Sequence, residues 1–149
     1  MTRKIPEKAI EIIKHYEGCR LKPYRCPAGK MTIGYGHVIQ PGEVFKEMTI
    51  DYAETLLEWD LQRFAKAVDE AVKVHVTDNQ FGALVSFAYN IGIGAFKEST
   101  LLKKLNDEKY KEAVGQFLRW VYANTKELPG LVKRRVAERN LFLSGMEEK

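Results

Sequence analysis

Residues 20–46 contain glycine and proline at a density that breaks helices, and this segment constrains the fold more than any other. Short β-prone pieces stand between these breakers, for example residues 31–33 and Tyr35. The breakers are Pro23, Pro27, Gly29, Gly34, Gly36, Pro41 and Gly42. The pattern predicts a small irregular sheet or hairpin.

Helical patterns flank this segment on both sides. Residues 6–16 carry apolar side chains at helical spacing, and Gly18 marks the end of that helix. Thr49 can cap a long helix, and residues 77–80 have the form of a capping box that opens a very apolar second helix, ended by Gly92 and Gly94. Further helices are predicted near residues 100–105, 110–121 and 131–143. Strands that come early and helices that follow predict an α+β fold.

Length and composition bound the class of protein. The 149 residues fit one domain, so we expect residues 1–149 to form a single domain with its own core. No apolar run approaches the ~20 residues that cross a bilayer, and no secretory signal is evident at the N-terminus, so we expect no stable membrane association. Two cysteines do not form a disulfide scaffold, and they indicate reduced thiols in a cytoplasm.

The charge balance is mildly basic. A net charge of +4 favours an anionic partner such as a cell wall, a phosphate surface or nucleic acid, although a solvated basic surface explains it more simply. A nucleic-acid-binding protein would show a basic stripe with stacking aromatic residues or a recognised reader fold. We find neither, so we expect no nucleic-acid partner.

Glu17 is the first candidate for chemistry. It falls at a predicted helix end, just before Gly18, where Tyr16 and Tyr24 could supply apolar walls. Desolvation in such a place would raise the pKa of the carboxyl group and keep it protonated near neutral pH. A glycoside hydrolase needs such an acid to protonate the leaving sugar oxygen. Taken alone, an ordinary helix-end carboxylate is the simpler interpretation.

The spacing of three residues changes that interpretation. Eight residues separate Glu17 from Cys26, and five separate Cys26 from Thr32. This Glu-x8-Cys-x5-Thr run resembles the catalytic signature of the phage-type lysozymes, glycoside hydrolase family 24, in which the middle position is Asp or Cys. The resemblance continues through residues 32–37, 80–92, Trp120 and 128–139, so it covers nearly the whole chain in the right order.

The resemblance implies a lysozyme-like fold of two lobes, with a small sheet lobe and a larger helical lobe joined by the long helix from Thr49. Sugar would bind in the cleft between the lobes. The family cleaves the β-1,4 bond between N-acetylmuramic acid and N-acetylglucosamine in bacterial peptidoglycan, without metal or cofactor. The implied role is that of an endolysin of a phage or prophage. It would be a monomer that waits in the host cytoplasm until a holin opens the inner membrane.

Residue roles follow from the same resemblance. Glu17 matches the general acid, and Thr32 matches the residue that holds the attacking water. Cys26 stands where Asp is usual and would stabilise positive charge on the sugar or activate the water. Nearby basic residues in the segment 20–25 would lower the pKa of its thiol. The alternative is that Cys26 is merely a small buried residue.

Four more positions are candidate substrate contacts. Asn90 matches a cleft position that binds an acetamido group, although a helix-end cap would explain it too. Tyr24 lies close to Glu17 in the sequence. Arg134 and Arg135 stand in a basic run of the kind that usually faces solvent. In the family an arginine near here approaches the catalytic acid, and the sequence leaves open which of the two does so.

Two further residues have competing interpretations. His37 is expected to make a structural hydrogen bond rather than to act as a base or metal ligand, because no Cys/His ligand spacing accompanies it. Cys19 is either an inert buried thiol or the partner of Cys26 in a disulfide that would disable the site. A non-catalytic wall-binding module on the same fold is disfavoured, since it would have no need of Glu17 and Thr32.

Overall fold

The computed structural model describes residues 3–123 and 125–146, and it confirms the α+β fold class. A three-stranded antiparallel sheet follows the first helix. The elements are α1 (Glu7–Glu17), β1 (Arg20–Arg25), β2 (Met31–Gly34) and β3 (His37–Val38). The strand order is β1-β2-β3, and Thr32 lies in register with Tyr24 on one side and Val38 on the other. The glycine- and proline-rich segment therefore forms the small sheet lobe.

Helices form most of the rest of the described chain. They are α2 (Ile50–Ala71), α3 (Asp78–Ile91), α4 (Ile93–Glu98), α5 (Thr100–Asn106), α6 (Tyr110–Gln116) and α7 (Pro129–Met146). A turn of 3-10 helix follows α6, and a short hairpin of β4 (Tyr122–Ala123) and β5 (Lys126–Glu127) precedes α7. No helix within the two described ranges is long and apolar enough to span a membrane.

Helix α3 is the buried centre of the helical lobe, as its apolar composition predicts. Its residues from Gln80 to Ala88 are all buried. Thr77 and Gln80 form the capping box, in which each side chain accepts a hydrogen bond from the backbone N–H of the other residue. α1, α2 and α7 pack around α3, so residues at the ends of these helices converge on it.

Helix α2 joins the two lobes. Thr49 caps its first turn by accepting a hydrogen bond from the backbone N–H of Tyr52. Near this end, Ala53 packs with Ile33 and Met48 in the core of the sheet lobe, whereas Leu61 and Val68 belong to the core of the helical lobe. The 22 residues of α2 extend over about 33 Å at the usual helical rise, which is long enough to reach both cores.

The sequence-based prediction was wrong in three places. The helix expected over residues 110–121 ends as α-helix at Gln116, because the chain tightens into a 3-10 turn and then enters the β4–β5 hairpin. Gly92, with φ +97°, ends α3 as predicted, but Gly94 lies inside the next helix, α4, and does not take part in ending α3. The last helix begins at Pro129, where the fixed φ of proline suits a first turn.

Candidate active site

Glu17 is the last residue of α1, and its carboxylate lies between the sheet lobe and the last helix. Gly18 ends the helix with φ +69° and donates its backbone N–H to the carbonyl of Lys14. The Oε2 atom of Glu17 accepts a hydrogen bond of 2.6 Å from Nη1 of Arg134 on α7. Residues 117 positions apart are therefore joined at one ion pair, which fixes the direction of the Glu17 side chain.

Arg134 is held in place by a buried polar network. Its side chain is 3% exposed and donates from Nε to Oε2 of Glu138 at 3.1 Å and from Nη2 to the carbonyl of Ser86 at 3.0 Å. The hydroxyl of Ser86 donates to the same Glu138 oxygen at 2.5 Å. Burial lowers the pKa of Arg134, but the charges of Glu138 and Glu17 more than offset this effect and raise it. The guanidinium therefore stays charged and aimed at Glu17.

Arg135 turns to the other side of the same network. It donates to Oε1 of Glu138 at 2.5 Å, to the carbonyl of Trp120 at 2.8 Å and to the side-chain oxygen of Asn90. Its guanidinium also stacks over the ring of Phe87 at 5.1 Å. The structure thus answers the question that the sequence left open, because Arg134 and not Arg135 contacts Glu17.

The interpretation of the basic run as a solvated face is wrong for both arginines, since Arg134 and Arg135 are buried. Burial and the neighbouring charge of Arg134 lower the pKa of Arg135, while Glu138 acts against this shift. A side chain that is 1% exposed and already engaged with three acceptors has no surface to offer a substrate. Both arginines therefore serve to position other groups, rather than to contact substrate as the sequence predicted.

Gly36 brings the backbone of the sheet lobe against Glu17 from the opposite side. A Cβ placed on Gly36 would lie 2.5 Å from Oε1 of Glu17, well inside van der Waals contact. Its φ of +82° also lies in the left-handed region that favours glycine. One carboxylate oxygen of Glu17 thus faces Gly36, and the other is held by Arg134. This contact could not be predicted from local sequence, although Gly36 stands in the stretch 32–37 that carries the family resemblance.

Cys26 and Thr32 are brought together at the turn between β1 and β2. The backbone N–H of Cys26 donates to the carbonyl of Lys30, and the N–H of Gly29 donates to the carbonyl of Cys26. Burial raises the pKa of the Cys26 thiol, but hydrogen bonds from the backbone of Lys30 and from the side chain of Thr32 outweigh it, so the pKa lies below its ordinary value. The expected direction is confirmed, and the cause is hydrogen bonding rather than the neighbouring basic side chains.

Tyr24 links the two halves of the candidate site. It lies opposite Thr32 in the sheet, and the guanidinium of Arg20 covers its ring at 4.7 Å. Burial raises the pKa of Tyr24, and the charges of Glu17 and Cys26 raise it further. Since the charges of both groups act on the same hydroxyl, Glu17, Tyr24 and Cys26 lie in one region of the candidate site.

The proposed disulfide between Cys19 and Cys26 is wrong. Both cysteines are free, and the whole of β1 lies between them. An extended strand of this length separates its flanking residues by about 20 Å, whereas a disulfide needs Cα atoms within ~7 Å. Cys19 packs beside the sheet-lobe core of Ile33 and Met48, in keeping with the alternative of an inert thiol.

His37 makes the structural hydrogen bonds that the sequence suggested. Its Nδ1 lies 2.7 Å from Asp60 on α2, and its Nε2 lies 2.9 Å from Glu43. These bonds tie the sheet lobe to α2. Among the residues that the structure describes, no three His, Cys, Asp or Glu side chains gather as metal ligands.

A groove opens beside Glu17, between the sheet lobe and α2. Its volume is about 760 Å³. Gly36, which lies against Glu17, lines the groove together with Tyr89, and α2 forms one wall. Asn90, the next residue after Tyr89, is exposed at the end of α3 and accepts the hydrogen bond from Arg135. The α2 wall could not be predicted from the sequence, because its residues meet the sheet lobe only through tertiary packing.

A small sheet lobe, a helical lobe around α3 and a helix-end glutamate held between them define the lysozyme-like class of fold. Residues 14–138 match the family model described as phage lysozyme, and the chain belongs to that family.

Curated relatives and solved structures agree. The chain is 44% identical to an endolysin of Acyrthosiphon pisum secondary endosymbiont phage 1, over 94% of this chain and 98% of the relative. It is 48% identical to an endolysin of Bacillus phage B103 over 95% of this chain, but it spans only about half (54%) of that relative. The muramidase domain of SpmX from Asticaccaulis excentricus superposes with a TM-score of 0.85 at 37% identity, covering 95% of this chain and 98% of that chain.

Proposed function

We propose that this chain is a muramidase that hydrolyses the β-1,4 bonds between N-acetylmuramic acid and N-acetylglucosamine in peptidoglycan, as the endolysin of a phage or prophage. The observation that carries the proposal is the Glu17 carboxylate, held by buried Arg134 on one side and facing Gly36 on the other. Family membership supports the same reaction. We further propose that residues 1–149 act as one catalytic domain and as a monomer.

The reaction assigns one task to each residue of the site. Glu17 donates its proton to the glycosidic oxygen as the bond between that oxygen and the anomeric carbon breaks. Thr32 holds a water molecule whose oxygen attacks the anomeric carbon. Cys26, as a thiolate, stabilises positive charge on the sugar or takes the proton that the water loses. Its lowered pKa supports this ionised form.

The remaining candidate residues either bind substrate or position another side chain. Tyr24 and exposed Asn90 are the proposed substrate contacts, with Asn90 binding an acetamido group. Arg135 orients the Asn90 side chain by its hydrogen bond to the amide oxygen, and Arg134 orients Glu17. Both arginines therefore act on substrate through another residue.

The test is the Glu17→Gln variant, assayed on purified peptidoglycan. Glutamine keeps the shape of the side chain but cannot donate the acid proton, so the rate should fall by roughly 10²–10⁴-fold. Glu11→Gln is the matched control, because Glu11 is an exposed residue of the same helix. Near-normal hydrolysis by a folded Glu17→Gln protein would refute the assignment.

Product analysis tests the bond that is cut. Mass spectrometry should find glycan fragments with reducing N-acetylmuramic acid ends. Release of peptides alone would identify an amidase or endopeptidase and would exclude a muramidase.

For cellular access we propose that the protein waits in the host cytoplasm until a holin opens the inner membrane. A competing route is suggested by two relatives named SAR-endolysins, from bacteriophages PS119 and PS34, at 40% and 39% identity. Expression with and without a holin separates the two routes. Lysis that starts without a holin would contradict the cytoplasmic proposal.

A further inference from the structure

We propose that Tyr89 is a positioning residue for the proposed acid Glu17: its hydroxyl holds the backbone carbonyl of Tyr35 and thereby keeps Gly36 against the Glu17 carboxylate. This inference rests on the proposed muramidase function. It assigns a role in the reaction to a side chain that acts through the backbone of the sheet lobe rather than through contact with the glycan.

The hydrogen bond that carries the inference joins the two lobes beside Glu17. Tyr89 lies in the last turn of α3, and its hydroxyl donates a hydrogen bond of 2.8 Å to the carbonyl of Tyr35. Tyr35 and Gly36 form the turn between β2 and β3. The carbonyl of Tyr35 and the N–H of Gly36 belong to one peptide unit, which is planar. Fixing the direction of that carbonyl therefore restricts where the Cα of Gly36 can lie.

The turn needs such a hold because a glycine stands on each side of Tyr35. Gly34 has φ +67° and Gly36 has φ +82°, and glycine gives the backbone more freedom than any other residue does. The side chain of Tyr35 anchors the turn from one side, since it packs against both hydrophobic cores and its ring centroid lies 5.6 Å from Nζ of Lys14. The carbonyl is held separately, by Tyr89.

The position of Gly36 matters because it lies so close to the carboxyl group of Glu17. A Cβ placed on Gly36 would lie 2.5 Å from Oε1 and 2.9 Å from Cδ of Glu17. On the other side, Arg134 donates to Oε2 of Glu17 at 2.6 Å. The carboxyl group is therefore set between a guanidinium and a backbone segment, and a shift of that segment would release one of its two sides.

Tyr89 is itself held in place, and it remains a hydrogen-bond donor. Its ring packs edge to face against the ring of Phe64 on α2, with centroids 4.9 Å apart and planes at 65°. Burial raises the pKa of Tyr89, and the charges of Asp60 and Glu17 raise it further against the smaller effects of two arginines. The hydroxyl therefore keeps its proton at the pH values at which wall hydrolysis is assayed.

The experiment compares Tyr89→Phe with Tyr110→Phe in steady-state hydrolysis of soluble peptidoglycan strands. Phenylalanine keeps the ring and removes only the hydroxyl. Tyr110 is the matched control, because its hydroxyl also donates to a backbone carbonyl, that of His75, at 2.7 Å, and it lies on α6, which packs mainly against α5. A misplacement of about 1 Å costs about 10²-fold in rate. Loss of one of the two holds on the turn should therefore lower kcat of Tyr89→Phe about tenfold with KM unchanged, while Tyr110→Phe should keep the wild-type kcat and KM.

Two further readouts separate positioning from a purely structural role. Amide hydrogen exchange of residues 36–38 should become faster in Tyr89→Phe and stay the same in Tyr110→Phe, because only the first variant loosens this turn. In a double-mutant cycle, Tyr89→Phe should cost little further kcat once Gly36→Ala has already displaced the carboxylate, as expected for two residues that act through one contact. All rates are compared at a temperature where thermal unfolding shows every protein to be folded.

Several results would overturn the inference. Wild-type kcat in Tyr89→Phe, unchanged hydrogen exchange at residues 36–38, or additive losses in the double-mutant cycle would each do so. A rise in KM alone would instead identify Tyr89 as a substrate contact. A Tyr89→Phe protein that does not fold would show that the hydroxyl serves stability, and the inference would fail on that ground.

Failure of this inference is distinct from failure of the proposed function. If wild-type protein cuts the wall in a Glu17-dependent manner and Tyr89→Phe cuts it equally fast, the positioning assignment alone is wrong. If Glu17→Gln cuts the wall as well as wild type does, the muramidase function fails and Tyr89 has no acid to position, even where hydrogen exchange shows that it holds the turn.

Discussion

Replacing Gly36 by alanine tests how the sheet lobe positions the proposed catalytic acid. The added Cβ would lie 2.5 Å from Oε1 and 2.9 Å from Cδ of Glu17, so one of the two groups has to move. The backbone at Gly36 is fixed within the sheet lobe, whereas the contacted atoms are the far end of a flexible side chain. We therefore expect the Glu17 carboxylate to be displaced while the fold persists.

The energetic cost has a part that can be estimated separately. A residue with a Cβ at φ +82° costs about 1–2 kcal/mol relative to glycine. For a chain of this size, that loss corresponds to a fall in Tm of roughly 2–8 °C. Displacement of the carboxylate by about 1 Å adds a loss of activity on the order of 10²-fold, because proton transfer depends on geometry at this scale.

Gly42→Ala provides the matched control. Gly42 has a similar φ of +89°, and no atom of the described chain lies within 4 Å of a Cβ placed there. Both variants should lose similar stability from the backbone strain in thermal unfolding. Only Gly36→Ala should also lose hydrolysis of purified peptidoglycan, measured at a temperature where both proteins are fully folded.

The ratio of the peptidoglycan-hydrolysis rates of the two variants tests whether Gly36 positions the Glu17 carboxylate. If Gly36→Ala and Gly42→Ala hydrolyse peptidoglycan at the same rate, the approach of Gly36 to Glu17 has no part in placing the acid. If Gly36→Ala fails to fold while Gly42→Ala folds, the clash is relieved by the backbone and not by the Glu17 side chain, and the reasoning is also refuted.

Three further predictions follow from contacts in the two lobes. Hydrogen bonding to Asp60, opposed by burial and reinforced by Glu43, raises the pKa of His37. The stabilisation from its charge is therefore fully present below about pH 6.5 and is lost as pH rises through the folded-state pKa. The Tm difference between wild type and His37→Asn should shrink over that rise, and a pH-independent difference would contradict this prediction. Arg134→Met should lower the free energy of unfolding by about 3–5 kcal/mol in urea titrations, because it leaves buried Glu138 short of one partner; a loss below about 1 kcal/mol would show that the network is dispensable. Cys26→Ser should reduce hydrolysis more than Cys26→Asp, since serine stays neutral, and equal rates would remove ionisation from the role of this residue.

Local sequence signals were sufficient to predict much of the fold of this protein and its family. Glycine and proline between residues 20 and 46 disfavour helix whatever surrounds them, so the sheet lobe could be predicted. The capping box at Thr77 and the apolar run after it mark α3, because both depend on residues within one or two turns. The spacing from Glu17 to Cys26 and Thr32 led to the family, and the structure brings Cys26 and Thr32 together as neighbours across a turn.

Tertiary structure decided what depends on residues far apart in the chain. Arg134 and Arg135 have the same local sequence signal, and only the packing of α7 against α3 directs one to Glu17 and the other to Asn90. The same packing buries both arginines around Glu138, which a charged run in a sequence does not suggest.

Three-dimensional structure also decided the separation of the two thiols and which residues line the groove. Cys19 and Cys26 are close in sequence, but an extended strand carries them apart because each of its residues adds about 3.3 Å. Trp59 is an exposed residue of α2, and only the fold places it in the same groove as Gly36. The sequence determined the elements and the class of chemistry through local interactions, and long-range packing determined which side chains meet.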